Sequence, residues 1–308
     1  MMVKKINRKV WLFAGLALVI GLGLFFSFLR YEKPIEENLV SEMGKAQIDT
    51  TSLVADAPVA QGPLNEDSTT VKNETQSAVA AGAYLMSGSE LTGWKEDKRW
   101  PIASITKLVS AYVAESVMDP EQSVVISQTA VDTMGDAGEF KLGEIFKVRD
   151  LVKAMLITSS NDAAVALAQN YSQTKFVSEM NLVTKAAGMN DSQFVEPTGL
   201  SVQNQSTVED LVKLVQYIWR EDREFFQITR QSTDFIVDIN LGVGRQLTNI
   251  NQFAGESDFL GGKTGTLPEA DSNLISVFDV PGFGEPVIVV VLGSKDRFTE
   301  TRSILSGL

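Results

Sequence analysis

The start of one amphipathic helix constrains this sequence more than any other feature. Pro101 interrupts regular structure, and the residues after it place apolar side chains at helical spacing. The apolar positions are Ile105, Leu108, Val109, Tyr112 and Val113. We therefore predict a helix with one buried face, at whose start Ser104 and Lys107 lie on the same side, about one turn apart.

A serine hydroxyl beside an amine has two interpretations. The pair can act as a nucleophile and its base, because a neutral amine can accept the hydroxyl proton. In many helices, however, a serine at the start is only a cap, and a lysine one turn later is solvated. The pair of Ser104 and Lys107 is therefore a hypothesis that needs support from the rest of the chain.

Two absences from the composition narrow the chemistry. The 308 residues include neither histidine nor cysteine. This removes the Ser-His-Asp triad, cysteine nucleophiles and zinc sites built on those ligands, so the base of any hydrolase must be Lys, Asp, Glu or Tyr. A formal net charge of −12 also argues against nucleic acid as the main partner.

The N-terminal segment has the pattern of a signal anchor. Four basic residues within positions 1–9 precede about twenty uncharged, apolar residues, enough to span a bilayer. A cleaved signal peptide is the alternative, but positions 27–31 offer no small-x-small cleavage site. We predict a cytoplasmic basic N-terminus at 1–9, a transmembrane signal anchor at 10–30 and a single-pass protein of the cell membrane, with its body on the extracytoplasmic side.

The next segment, residues 31–76, is rich in Glu, Asp, Ser, Thr and Ala without hydrophobic period. This composition predicts a flexible linker, with a structured interaction segment as the alternative. Residues 77–308 then form the predicted domain.

Strands open and close this domain, and helices fill its middle. We predict a helix that starts with a capping box of Ser206 and Glu209. We also predict strands across 79–85, 91–94, 234–241, 246–251, 274–280 and 287–292, and helices across 148–157, 162–169, 176–187 and 299–305. This order indicates one α/β (α+β) domain with a helical insertion.

Three short polar motifs follow one another along the domain. They are Ser104-Ile105-Thr106-Lys107, Ser159-Ser160-Asn161 and Lys263-Thr264-Gly265. Alone, the second motif could simply cap a helix, and the third could be a turn at the start of a strand. The sequence argues against a phosphate-binding loop for the third, because position 257 is Ser257 rather than glycine and Gly265 and Pro268 follow where a helix should begin.

Together the three motifs resemble those of the low-molecular-mass penicillin-binding proteins, the serine D-alanyl-D-alanine carboxypeptidase family. The resemblance covers about residues 77–306. The segments around the motifs favour carboxypeptidases over β-lactamases, because β-lactamases share only the three motifs and not these segments. The further matching segments are Ile102–Leu108, Ser160–Ala164, Met180-Asn181, Gly188-Met189, Phe194, Pro197–Leu200, Asn249–Asn251 and Gly262–Gly265. The family implies an antiparallel five-stranded sheet flanked by helices with a helical subdomain, and a cleft between them that holds the active site.

The resemblance also implies a mechanism. Ser104 would attack the carbonyl between two D-alanines of a peptidoglycan stem peptide and form an acyl-enzyme, and β-lactam antibiotics would be covalent inhibitors. Lys107 would accept the proton, provided that burial and the charge of Lys263 lower its pKa. Ser159 would relay a proton to the leaving amine, and Asn161 would hold the substrate amide and Lys107. No metal or cofactor is needed.

Substrate binding is implied for the third motif. The backbone N–H groups of the nucleophile and of Thr266 would form the oxyanion hole. Lys263 and Thr264, with Gly265 and Thr266 following, would meet the terminal carboxylate of the substrate. Lys295 is a weaker candidate for the same contact.

Three other functions stay open at this point. A β-lactamase would need fast deacylation, often by an extra glutamate that activates water. A D,D-endopeptidase acting on cross-links would share the acyl-enzyme and differ only in the shape of its cleft. A catalytically silent protein that binds the cell wall would retain the fold without the reaction.

Overall fold

Eleven short strands and eight helices make up the part of the chain that the computed structural model describes, residues 77–135 and 138–308. The strands are β1 Ala80–Leu85, β2 Glu90–Trp94, β3 Trp100–Pro101, β4 Ser123–Val125, β5 Ile145–Lys147, β6 Gln205–Ser206, β7 Thr233–Asp238, β8 Val243–Thr248, β9 Phe259–Leu267, β10 Asp271–Phe278 and β11 Val287–Ser294. The helices are α1 Thr106–Val117, α2 Gln128–Val131, α3 Val148–Ile157, α4 Asn161–Tyr171, α5 Gln173–Ala186, α6 Val208–Glu221, α7 Phe225–Arg230 and α8 Arg297–Ser306.

A five-stranded antiparallel sheet in the order β2-β1-β11-β10-β9 confirms the predicted architecture. Strands from the two ends of the domain meet at its centre, where β1 pairs with β11. The predicted anchor at 10–30 and linker at 31–76 lie outside the described residues. Within those residues, no helix combines the length and the apolar character that a membrane crossing requires.

The central strand β11 shows why the sheet needs a layer on each face. All eight of its residues are buried, and successive side chains alternate between two apolar clusters. Val287, Val289 and Val291 pack with aromatic residues on one side, and Ile288, Val290 and Leu292 join the larger helical core on the other. A strand buried on both faces is continuously apolar, and the sequence across 287–292 has this character.

The helical subdomain is built around α1, which packs against α3, α4 and α5. Its buried residues include Leu108, Val109 and Val113 of the predicted apolar face, together with the polar side chains of Thr106, Lys107 and Ser110, while Tyr112 is only partly buried. The predicted helix at 148–157 is confirmed to the residue by α3. Burial of a lysine in the first turn of α1 sets up the site described below.

Two local predictions were wrong. The helix α6 is capped by Thr207, whose hydroxyl accepts a hydrogen bond from the N–H of Asp210 at 3.1 Å, and not by Ser206. Ser206 instead belongs to β6 and pairs with Trp100. The motif Lys263-Thr264-Gly265 lies in the middle of β9, not at the start of a strand, because the strand already begins at Phe259.

Candidate active site

The segment that carries Ser104 is a single 3₁₀ turn, Ala103–Ile105, directly before α1. Ala103 is fully buried and has a φ of +50°, a left-handed conformation that alanine rarely adopts. Such a conformation persists only where its surroundings enforce it, and it occurs preferentially at functional sites. The turn places the half-buried Ser104 at the beginning of a helix, where the backbone N–H groups favour negative charge.

Lys107 reaches Ser104 as the three-residue spacing predicts. Its Nζ donates a hydrogen bond to Ser104 Oγ at 3.0 Å, to Asn161 Oδ1 at 2.6 Å and to the carbonyl oxygen of Thr198 at 2.6 Å. The side chain is fully buried. The amine is thus held by three oxygen atoms from three separate segments and has little freedom to turn away from the serine.

Burial lowers the pKa of Lys107 from 10.5 to about 7, although the negative charge of Glu196 opposes this shift. The pKa of Lys263 lies well below its usual value, because Lys263 is buried and because the positive charges of Lys107 and Arg297 disfavour its protonation. The sequence predicted that burial and Lys263 would depress the pKa of Lys107. Burial is the cause that lowers the pKa of Lys107, whereas the repulsion between the two lysines lowers the pKa of Lys263.

The tripeptide 159–161 both caps a helix and contributes to the site. Ser160 is buried and caps α4, since its hydroxyl accepts a hydrogen bond from the N–H of Ala163 at 3.1 Å. The residues on either side of it face the site. Ser159 has a φ of +64° and accepts a hydrogen bond from Lys263 Nζ at 2.9 Å, and Asn161 contacts Lys107. The cap therefore fixes the two flanking polar groups.

Strand β9 forms the opposite wall, at the edge of the sheet. Its outer side presents backbone groups that no strand of the sheet pairs with. Gly265 lies against the nucleophile segment so closely that a Cβ atom there would be 2.5 Å from the carbonyl oxygen of Ile102. Only glycine fits at this approach. Thr264 is buried beside Lys263, and Thr266 is exposed at the end of the motif.

Arg297 is a site residue that the sequence predictions missed. Its Nη1 donates hydrogen bonds to the carbonyl oxygen of Gly265 at 2.8 Å and to Thr266 Oγ1 at 2.7 Å. Lys295, the residue considered instead, is 78% exposed and pairs with Asp271 at 2.6 Å. The cation next to Thr266 is thus Arg297, at the first position of α8. The sequence signal for this cation was a basic residue just after the last strand, but both Lys295 and Arg297 lie there.

The structure brings all eight predicted residues to one region, between the helical subdomain and β9. Ser104, Lys107 and Asn161 form one hydrogen-bonded group, and Ser159 with Lys263 forms another. The motif 264–266 continues the wall past Lys263. Such an arrangement offers a hydroxyl, a buried base and a polar wall, which are the groups that acyl transfer through a serine requires.

The fold and this site place the chain in the structural class of the penicillin-binding proteins. Penicillin-binding protein D2 from Listeria monocytogenes, solved with ampicillin bound, superposes with a TM-score of 0.67, at 28% identity over 76% of this chain and 98% of that chain. A D-alanyl-D-alanine carboxypeptidase from Mycobacterium tuberculosis has the same fold, with a TM-score of 0.67, 22% identity and coverage of 75% and 90%.

Residues 67–296 match the family described as D-alanyl-D-alanine carboxypeptidase, and the chain belongs to this family. It is 38% identical over 149 residues to a D-alanyl-D-alanine endopeptidase of Pseudomonas aeruginosa, covering 46% of this chain and 48% of that protein. It is 30% identical over 249 residues to the D-alanyl-D-alanine carboxypeptidase DacD of Salmonella typhimurium, covering 74% and 62%. The chain thus spans between about half and about three fifths of the length of these curated relatives.

Proposed function

We propose that residues 77–308 form a serine D,D-peptidase that removes the terminal D-alanine of peptidoglycan stem peptides through an acyl-enzyme on Ser104. The observation that carries this proposal is the contact of 3.0 Å between Ser104 Oγ and the buried amine of Lys107, whose pKa lies at about 7. Near neutral pH a large fraction of this amine is uncharged, so it can accept the proton of the serine.

The positions of the groups support the following reaction. Ser104 Oγ attacks the carbonyl carbon of the penultimate D-alanine while its proton moves to Lys107 Nζ. The oxyanion forms near the backbone N–H groups of Ser104 and Thr266. Ser159, held by Lys263, gives its hydroxyl proton to the leaving amine as the carbon–nitrogen bond breaks, and it takes up in return the proton that Lys107 had removed from Ser104. Water then attacks the ester, which releases the shortened peptide and restores the serine hydroxyl.

Covalent labelling of the full chain with a fluorescent penicillin, followed by peptide mapping, tests the proposal. We expect a stable adduct on Ser104, because a β-lactam acylates the same nucleophile as the peptide. Rapid hydrolysis of the drug without an accumulated adduct would instead identify a β-lactamase. A folded protein without any adduct would favour a silent protein that binds the cell wall.

Arg297 is expected to recognise the free terminal carboxylate of the substrate. Arg297→Ala should raise KM for a peptide ending in D-Ala-D-Ala by about 10- to 100-fold, since a hydrogen bond to a charged group contributes about 1.5–3 kcal/mol. Cleavage of the same peptide with an amidated C-terminus should change little. Steady-state kinetics on the two peptides measure the difference.

Lys295→Ala is the matched control for Arg297→Ala. It removes a positive charge two residues away, from a side chain that is 78% exposed and contacts Asp271 rather than the cleft. We expect nearly unchanged KM values for both peptides. Equal effects of the two substitutions would contradict a specific role of Arg297.

An endopeptidase activity on cross-linked peptides is a second candidate. Two relatives named D-alanyl-D-alanine endopeptidase, from Pseudomonas aeruginosa and Escherichia coli, are 38% and 42% identical to this chain over the matched segments. Both reactions share the acyl-enzyme, and they differ in the group that leaves. Incubation with a stem pentapeptide and with a cross-linked muropeptide dimer, analysed by chromatography, distinguishes them by which substrate is consumed faster.

We also propose that residues 10–30 anchor the protein in the cell membrane, with the catalytic domain on the extracytoplasmic side. The uncharged apolar run and its basic flank support this proposal. Mass spectrometry of the N-terminus of protein extracted from membranes provides the test. A mature chain that begins after residue 30 would contradict it.

A further inference from the structure

A loop outside the three sequence motifs contacts Lys107, the proposed base. This Glu196 loop, residues 196–201, presents the carbonyl oxygen of Thr198 to Lys107 Nζ at 2.6 Å. Gly199, with a φ of +85°, lies so close to the nucleophile segment that a Cβ atom would be 2.0 Å from the carbonyl oxygen of Ala103. The loop therefore contacts both the base and the backbone next to the nucleophile.

The carboxylate of Glu196 organises this loop. Its Oε2 accepts hydrogen bonds from the N–H and the hydroxyl of Thr198, at 2.7 and 2.5 Å. Its Oε1 accepts from the N–H of Gly199 at 2.7 Å, from the N–H of Ser201 at 3.3 Å and from Asn204 Nδ2 at 2.8 Å. Charge-assisted hydrogen bonds of this kind are stronger than neutral ones, so Glu196 fixes the direction of the Thr198 carbonyl.

Asn204 extends the network to the start of the nucleophile segment. It is fully buried, and its Nδ2 also donates to Thr106 Oγ1 at 3.2 Å. The main-chain carbonyl oxygen of Asn204 accepts a hydrogen bond from the N–H of Ile102 at 3.1 Å. Displacement of the Glu196 carboxylate would therefore disturb residues on both sides of Ser104.

Among the described residues, the charged group that acts on the pKa of Lys107 is Glu196, which favours the protonated amine from the loop. Lys263 faces the site from β9, and its own pKa is lowered by the positive charges of Lys107 and Arg297. The other side chains that Lys107 contacts, Ser104 before α1 and Asn161 of α4, are neutral. Glu196 thus supplies the negative charge that counteracts burial of the base.

We propose that Glu196 is a positioning residue for the acyl-transfer reaction, which aims the Thr198 carbonyl at the amine of Lys107 and tunes with its charge how readily that amine takes up a proton. This inference rests on the proposed function. It also separates Glu196 from a glutamate that activates water, because five donors already occupy its two oxygen atoms.

The test is the pH profile of acylation of the full chain by a fluorescent penicillin, for the wild type and for Glu196→Gln. The glutamine is neutral, and its amide nitrogen faces N–H donors. We expect the plateau rate to fall by about tenfold, since a misplaced base reacts slowly. We also expect the acid limb of the profile to move to lower pH by roughly half a unit, because loss of the negative charge lowers the pKa of Lys107.

Glu209→Gln is the matched control. It removes a carboxylate from the exposed side of the first turn of α6, where the charge acts on Tyr84 and not on Lys107. Its plateau and its acid limb should match those of the wild type. A limb that moves equally in both variants would show a general charge effect and overturn the proposal.

The outcomes separate this inference from the function on which it rests. An unlabelled wild type overturns both. A labelled wild type with an unmoved limb in Glu196→Gln leaves the function intact and reduces Glu196 to a structural residue. If Glu196→Gln does not fold, Glu196→Asp replaces it, because it keeps the charge but shortens the side chain. An undiminished plateau in Glu196→Asp would contradict positioning.

Discussion

Ser104→Ala should abolish acylation by a fluorescent penicillin, with a loss of at least about 10,000-fold, because no other group can take the place of an absent nucleophile. The side chain is half-buried, and its one hydrogen bond is the one it accepts from Lys107. Removal of the hydroxyl leaves α1 and its apolar face in place. The measurement is the rate of adduct formation, followed by gel fluorescence and mass spectrometry.

The control for this variant is Ser116→Ala. Ser116 lies on the exposed side of the same helix and donates to the carbonyl oxygen of Tyr112. Both variants should unfold near the wild-type temperature, and only Ser104→Ala should lose labelling. An adduct that persists in Ser104→Ala would assign the nucleophile to another residue.

Lys107→Met should lower the acylation rate by about 1,000-fold, since loss of a positioned general base typically reduces rates by factors of 100 to 10,000. Methionine keeps an unbranched apolar chain in the buried space and removes the amine. In the wild type the rate should rise about tenfold per pH unit below pH 7 and level off above it, because the neutral amine is the reactive form and the pKa of Lys107 is about 7. This acid limb should vanish in Lys107→Met.

Lys175→Met is the corresponding control, because Lys175 lies on the exposed surface of α5. It should keep the wild-type rate and the wild-type pH profile. If Lys107→Met retained a limb near pH 7, the titrating group would be another residue, and the role of Lys107 as the base would be wrong.

Those parts of the site that depend on local spacing could be predicted from the sequence. Ser104 and Lys107 meet because they are three residues apart at a helix start, and Ser160 caps α4 as its position before an apolar run indicates. The continuous apolar run of β11 likewise marks a strand buried on both faces.

The features that the sequence did not predict depend on tertiary contacts. Arg297 and Lys295 are alike in sequence, and only the direction in which the chain leaves β11 decides which of them reaches Thr266. The role of Glu196 had no sequence signal, because the donors that converge on its carboxylate come from a loop without hydrophobic period. Register within β9 was also beyond local reasoning, so the lysine motif was placed at a strand start.

The close backbone contacts of two glycines have a consequence for resistance to antibiotics. Gly199 packs against Ala103 on one side and Gly265 packs against Ile102 on the other, so the backbone around Ser104 lies between two closely packed segments. A mutant that excluded a bulky drug by widening the cleft at this point would have to loosen one of these contacts. Under the proposed function the drug and the peptide present their carbonyl to the same serine, so such a mutant would also weaken the proposed peptidase reaction. Resistance through this part of the protein is then expected to carry a fitness penalty.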